Sequence, residues 1–466
     1  MTIRERDDVD ESEVAKRELT LEGTKLFPRA FTEMPEIVRG DGAYVYDSNG
    51  NEYFDAIAGN QCSNIGHGVS EIAEAAREQI SRLEYTSSVL FVNDRSQEFA
   101  EKMARFLPDG FEHTWMVSGG SEANESAIKM AREYHRETGN PEKHVVVGRQ
   151  LSYHGNTLGT LQSAGMPARR EPFVPMLKGW PTAPAAYPYR CRYCGDEDEC
   201  AERGAECAKR LEERIRDVGP EYVSAFIAEP IVGAANAAAV PGDDYFRIVR
   251  EICDEYDVLW IADEVMSGMG RTGESFAVEH WDVAPDIITS AKGMGAGYTP
   301  IGGTMPREHV AKVFAEKEDG FSHGHTYSFN PTSSAIASAV LDYMAEHDVV
   351  ENARRVGEYT RDRFEEFYEY EFVGDVRGKG LMLGVEFVGD RETKEPLEGG
   401  GPEFRQQLLE IALSNRVTVY PGGGSVDGTR GDHVLVTPPL TITETQADEM
   451  MNRLHTTFEE VDSRLR

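Results

Sequence analysis

Residues 286–301 read DIITSAKGMGAGYTPI. Ile287 and Ile288 begin an apolar, β-rich run that leads into a single lysine, Lys292, and then into glycines at alternate positions, Gly293, Gly295 and Gly297. This pattern sets a lone amine at a strand end against bare backbone. Lysine is scarce in the chain, 12 of its 48 basic residues, the others being arginine. Two readings stand. A loop lysine can snorkel, laying its stem along apolar surface with its head in water. Alternatively, burial lowers the amine's pKa and leaves a nucleophile able to form a Schiff base with a carbonyl cofactor. Residues elsewhere in the chain must decide between them.

Outward from this stretch, strand-like and helix-like segments alternate. The predicted strands are residues 114–117, 145–147, 223–228, 258–263, 287–290 and 302–305. Such alternation builds an α/β fold, a mainly parallel sheet with helices on its faces. Upstream, AYVYDSNGNEYFD (residues 43–55) alternates around Asn49-Gly50, which predicts a hairpin with a type I′ turn. A helix then follows the turn at residues 66–68, with Ile72, Ala76 and Ile80 as its apolar positions, and a second ends at Pro108. After residue 330 come helices over 332–344 and 352–368 and then RGKGLMLGVEFV, which read as a smaller α+β domain. The predicted division is an N-terminal segment, 1–65, packing with the small domain; a large domain, 66–330; and a C-terminal domain, 331–466.

Three motifs fall at predicted strand ends. In MVSGGSEANESAIKMAR (residues 116–132) a strand stops at Val117 and a helix follows a glycine turn. Free N–H groups and the helix dipole make such a turn an anion site, so Gly119, Gly120 and Ser121 are candidates to hold a phosphate; an ordinary capped helix is the plainer reading. Tyr153-His154-Gly155 puts an aromatic where it could stack on a planar ring or simply pack in a loop. In WIADEVMSGMGRTG (residues 260–273), Asp263 closes an apolar strand, where a carboxylate is costly without a positive partner such as a protonated pyridine nitrogen. The same stretch contains GMGRTG, a literal G-x-G-x-x-G that would suggest an NAD-dependent dehydrogenase. A dinucleotide fingerprint needs its first glycine directly after the strand, a long helix behind it and an acid ending the next strand. Here the glycine comes late, Pro285 breaks the following stretch and Asp286 starts the next strand, so the match reads as accidental.

The 466 residues carry a net charge of −34, with 82 carboxylates spread along the chain. That charge repels nucleic acid and anionic membrane surfaces, and it suits a protein hydrated in concentrated salt, where repulsion is screened. A mean hydropathy of −0.48 and the lack of a long apolar run argue against a membrane span. The opening MTIRERDDVDESEVAKRE is a charged, mobile-looking start without an apolar signal core, so a cytoplasmic protein is expected. Four of the six cysteines, Cys191, Cys194, Cys200 and Cys207, fall in a C-x2-C-x5-C-x6-C cluster. They read either as a zinc or iron–sulfur site or as free thiols in an insertion, with Cys200 and Cys207 two turns apart on one helix over residues 201–216.

Taken in order, SGGSEANESAIKMAR, YHG, AEPIVG, DEVMSGMGRTG with FAVEHWDVAPDI, the AKG lysine, HTYSFNP and RGKGLMLGVEF resemble the class III aminotransferases, pyridoxal-5′-phosphate enzymes of fold type I. The likeness runs from about residue 20 to 460. It implies that Lys292 carries the cofactor as a Schiff base and then moves the proton, while Asp263 keeps the pyridine nitrogen protonated. It places Tyr153 and Val265 on the two faces of the ring, with His154 beside them, and Gly119, Gly120 and Ser121 on the phosphate. Thr326 would join the phosphate from the partner subunit of a homodimer or tetramer. Glu229 matches a glutamate that pairs with a substrate-binding arginine in several members. One position departs from the family: where ornithine- and GABA-type members have an arginine, this chain has Leu435. Arg430 lies near the place of a mobile arginine in ω-amine members and would clamp a substrate carboxylate or else be a surface loop residue. The implied activity is transfer of an amino group from an amine or ω-amino acid to a small 2-oxo acid. A racemase, aminomutase or phospho-lyase of the same fold would keep the same motifs.

Overall fold

The computed structural model describes residues 16–20, 24–27 and 33–465, so the charged start at residues 1–15 lies outside the described residues. All six strands predicted between residues 114 and 305 are present. With a short added strand they form one seven-stranded sheet: β1 (Trp115–Val117), β2 (Val145–Arg149), β3 (Thr182–Ala183), β4 (Val223–Ala228), β5 (Leu259–Asp263), β6 (Ile287–Ser290) and β7 (Gly302–Pro306), in the order β1-β7-β6-β5-β4-β2-β3. β7 pairs antiparallel with both β6 and β1, and the other pairings are parallel. Every residue of β4, β5 and β6 is buried. This is why these segments read as continuous apolar runs rather than alternating ones: helices cover both faces of the sheet. One of them, Gly120–Glu137, lies across β7, β6 and β4.

A second, antiparallel sheet orders Val373–Lys379, Met382–Phe387, Asp432–Val436 and Tyr420–Gly423. The Val349–Phe364 helix packs on its first strand and against the long Glu444–Leu465 helix. The N-terminal hairpin joins this region through backbone: Phe54 N–H donates to Arg416 O (2.9 Å), and Phe54 O accepts from Thr418 N–H (3.0 Å). Among the described residues no helix is long and apolar enough to cross a membrane.

Three local expectations are corrected. The hairpin turn is not type I′, because Gly50 has positive φ (90°) and Asn49 does not; Asp47 Oδ1 instead accepts the N–H groups of Asn49 and Asn51 and tightens a longer loop. On the Ser70–Arg82 helix Ile72 is buried and Ala76 packs against the core as expected, but Ile80 is exposed and Gln79 takes its place, buried and donating to Leu83 O. Finally, Cys200 and Cys207 do not share a helix. Gly204, at φ 63°, breaks the segment into Glu197–Glu202 and Ala205–Val218.

Candidate active site

Parallel strands point their C-terminal ends the same way, so the residues following β1, β2, β4, β5 and β6 meet along one sheet edge. β7 runs the other way and brings its start, Ile301, to the same edge. There a cavity of about 370 Å³ is lined by residues that include Ser118, Gly119, Gly120, Ser121, Tyr153, His154, Glu229, Asp263, Val265 and Lys292. The structure thus brings together almost every site residue picked out from the sequence.

Lys292 follows β6 after one residue, Ala291, and holds φ at 44°, a left-handed conformation that is strained for a residue with a side chain. Behind it Gly293 abuts Asn64, whose side-chain amide would collide with any Cβ. Among the described residues no carboxylate touches the Lys292 amine. Its Nζ donates to Gln61 Oε1 at 3.1 Å, and burial pulls its pKa below the usual lysine value, against the opposing charges of Cys62, Asp263 and Glu229. Gln61 comes from residues 58–61, where four successive residues carry positive φ. Strain on both sides of this contact fixes the amine at the cavity floor.

Asp263 is buried at the end of β5. Its Oδ2 accepts from Asn124 Nδ2 (2.8 Å) and lies 2.7 Å from His154 Nδ1, and its Oδ1 accepts from Val265 N–H (3.1 Å). Asn124 is held in turn by Thr289 Oγ1, which donates to its side-chain oxygen at 2.7 Å. The donors fix the carboxylate's orientation. It remains open to the cavity for one more positive partner.

Gly119 and Gly120 begin the Gly120–Glu137 helix, whose first N–H groups have no partner within the helix. A Cβ at Gly120 would lie 2.8 Å from Val265 Cγ1, so only glycine lets the turn approach the Asp263 loop this closely. Ser121 Oγ accepts from Asn156 N–H (3.3 Å) and ties the turn to the Tyr153-His154-Gly155 loop.

Glu229 also lines the cavity, but its carboxylate accepts backbone N–H groups of Tyr153 (3.1 Å) and Gly233 (3.1 Å), and burial raises its pKa. Arg430 is not brought in: it sits in an exposed turn, its Nε 2.9 Å from Asp427 Oδ2. Arg169 does line the cavity, its guanidinium 4.5 Å from the centre of the Tyr153 ring. Thr326 is exposed, away from this cavity, and its carbonyl accepts from Tyr85 Oη at 2.8 Å. In the GMGRTG stretch, residues 265–272 make turns and only the short Ala277–Trp281 helix follows, so no dinucleotide-binding helix exists there. Its Arg271 is buried as a structural brace, with Nη2 donating to Asn64 Oδ1 (2.8 Å) and Nη1 to Leu381 O (3.1 Å).

A family model for aminotransferase class-III matches residues 29–458. The chain belongs to the class-III aminotransferases. The putrescine–pyruvate aminotransferase of Pseudomonas aeruginosa is 35% identical over 421 residues, covering 89% of this chain and 88% of that protein. Among solved structures, an (S)-enantioselective omega-transaminase from Thermomicrobium roseum superposes with a TM-score of 0.85 at 36% identity, covering 92% of this chain and 93% of that one. The omega-transaminase of Pseudomonas jessenii in complex with PMP gives 0.87 at 28% identity, with 95% and 97% covered.

The aminotransferase is a fold type I enzyme whose cofactor is pyridoxal 5′-phosphate. The residues at the sheet edge fit that group. The helix N-terminus at Gly120 offers amide donors to a phosphate, Asp263 offers a carboxylate to a ring N–H, and Lys292 offers an amine to an aldehyde. The buried Nε2 of His154 has no hydrogen-bond partner among the described residues, as expected of a group facing a site that a ligand completes.

Proposed function

We propose that this aminotransferase moves an amino group from an amine or ω-amino acid to a small 2-oxo acid, with Lys292 as the lysine that joins the cofactor in a Schiff base. The observation that carries this reading is an amine kept from ion pairing, depressed in pKa and set in one cavity with Asp263 and the phosphate-type turn. A relative named for an amine and a 2-oxo acid supports the substrate class. The cofactor supplies an electron sink for the carbon that loses its proton. Lys292 Nζ, where burial disfavours the ammonium, would take that proton from the amine-bearing carbon of the substrate and hand it on to the cofactor. Asp263 would hold a proton on its ring nitrogen. Tyr153 and Val265 would bracket the ring, with His154 steadying Asp263, and Gly119, Gly120 and Ser121 would bind the phosphate.

Arg169, rather than Arg430, is the residue we assign to a substrate carboxylate, because it already faces the cavity. The enzyme acts as a homodimer in which Thr326 reaches the partner's phosphate site. An exposed apolar run supports this: Val89, Leu90, Phe91 and Val92 are 89%, 73%, 62% and 84% exposed, and Tyr327 beside Thr326 is 62% exposed. The large domain spans 66–330 and the small one 331–466. A cytoplasm rich in salt suits the acidic surface.

The test is a panel of amine donors mixed with the holoenzyme while its visible spectrum is followed. A donor should convert the cofactor to its amine form, and a 2-oxo acid should restore the spectrum. Loss of optical activity in an amino acid without net conversion would instead establish a racemase.

A further inference from the structure

Residues 191–207 stand apart from the cavity just described. Cys191 follows a short helical turn, Pro188–Arg190, and Cys194 lies in the bend after it; both are half-buried. Cys200 sits on the Glu197–Glu202 helix and Cys207 on the Ala205–Val218 helix, and both are buried. The break at Gly204 folds the second helix back on the first. Gly242 packs closely against this turn, where a Cβ would collide with the Cys200 carbonyl and the Gly204 amide. As a result the four Sγ atoms lie within 4.8 Å of one another, and none is in a disulfide.

We propose that Cys191, Cys194, Cys200 and Cys207 bind one zinc ion as a tetrahedral set of four thiolates. Four buried or half-buried thiols from three separate elements have no structural reason to converge on a point unless something there holds them. The spacing selects the occupant. A zinc–sulfur bond of about 2.3 Å gives a tetrahedron with sulfur–sulfur edges of about 3.8 Å, so the thiols need to close by no more than about 1 Å. An iron–sulfur cluster places irons and sulfides between its thiolates and needs a wider cage. All four positions are filled by protein, leaving none for a substrate, so the site is structural.

Its position says what it would brace. Arg190, next to Cys191, donates from Nε to Glu386 Oε1 at 2.6 Å, and Glu197 pairs with Lys394 Nζ at 2.7 Å. Glu386 lies in the second sheet and Lys394 in the loop that leaves it, so the cysteine lobe is a rivet between that sheet and the Ala205–Val218 helix. The preceding segment carries Arg169 to the cavity. Losing the metal is therefore expected to loosen substrate binding and lower thermal stability while leaving Lys292 and Asp263 in place.

The test is the metal content of untagged holoenzyme purified under reducing conditions without chelator. One zinc per chain is expected, and growth in cobalt should give the intense thiolate-to-cobalt and d–d absorption of a tetrahedral all-thiolate site. Cys200→Ser should lose that metal, whereas Cys253→Ser, altered at a buried cysteine outside the cluster, should keep it. Should Cys200→Ser fail to fold, the half-buried Cys194→Ser should still give a protein that surrenders zinc to a chromogenic chelator at least tenfold faster than the parent. Holoenzyme containing less than a tenth of an equivalent of zinc and taking up neither zinc nor cobalt would overturn the proposal. So would an intact mass showing two disulfides among the four thiols in the freshly reduced and repurified protein.

Discussion

The strand-end cavity and the cysteine lobe both gather side chains from distant points of the sequence, but the scaffold acts differently in each. At the cavity, a parallel sheet carries Ser121, His154, Glu229, Asp263 and Lys292 to one edge whatever their individual surroundings. In the lobe no sheet does the gathering, and convergence rests on one glycine that turns a helix back on itself. The first arrangement tolerates change in any single loop. The second depends on a local break and on whatever joins the four thiols, so the two regions should answer differently to substitution.

After Lys292 itself, the largest effect is expected at Asp263. Asp263→Asn keeps the shape and the contact to His154 but removes the charge proposed to hold a proton on the ring nitrogen. The account predicts a loss in kcat on the order of 10²–10³-fold with the melting temperature nearly unchanged. Steady-state kinetics and a thermal melt check it, and a loss below tenfold would mean the carboxylate is a packing element, much as the cysteines would be without metal.

Next in size is Arg169. Arg169→Leu should raise KM for carboxylate-bearing substrates by roughly 10- to 100-fold, the value of a lost charged hydrogen bond, and should spare simple amines. Arg430→Ala, in an exposed turn, should change either by less than about twofold. Reversal of that ranking would show that the Arg430 turn swings into the cavity.

A smaller effect is expected at Gly120. Gly120→Ala pushes a methyl against Val265 and should destabilise the protein by about 1–3 kcal/mol, with weaker retention of the cofactor. Denaturant unfolding and the rate of cofactor loss on dialysis measure both. If stability falls but retention does not, the turn is a structural joint and not a phosphate cradle.

The finest test concerns pH. Burial depresses the Lys292 pKa from 10.5, so the neutral amine is already abundant at a pH where a free lysine would be charged. Below the depressed pKa the ammonium dominates and cannot attack. Capture of added cofactor by apoenzyme should therefore accelerate as pH rises and level off below pH 10.5. A rate still climbing at that pH would mean an unperturbed lysine.

The contrast also explains what was legible in the sequence. β4, β5 and β6 were readable because strands buried on both faces are continuous apolar runs, and their chemical residues stand at or directly after their ends. The antiparallel direction of β7 was not, since nothing in GGTMP encodes direction. Gln61 went unnoticed because its position depends on a run of positive φ that only Gly59 and Asn60 hint at. Asn124 was hidden within the Gly120–Glu137 helix, although a polar residue between Ala123 and Ala127 is a usable signal. Arg169 reaches the cavity only by tertiary packing. In the lobe the cysteine spacing was plain, and the missing step was to read Gly204 as a helix break instead of a mid-helix glycine.

The account stands or falls on Lys292, and the most direct measurement is the visible spectrum of the holoenzyme beside that of Lys292→Ala. The parent should show a Schiff-base band that bleaches with an amine donor and returns with a 2-oxo acid. The variant, loaded with the same cofactor, should lack that band and complete neither half of the cycle. An unchanged band in Lys292→Ala, bleached and restored as in the parent, would contradict the assignment.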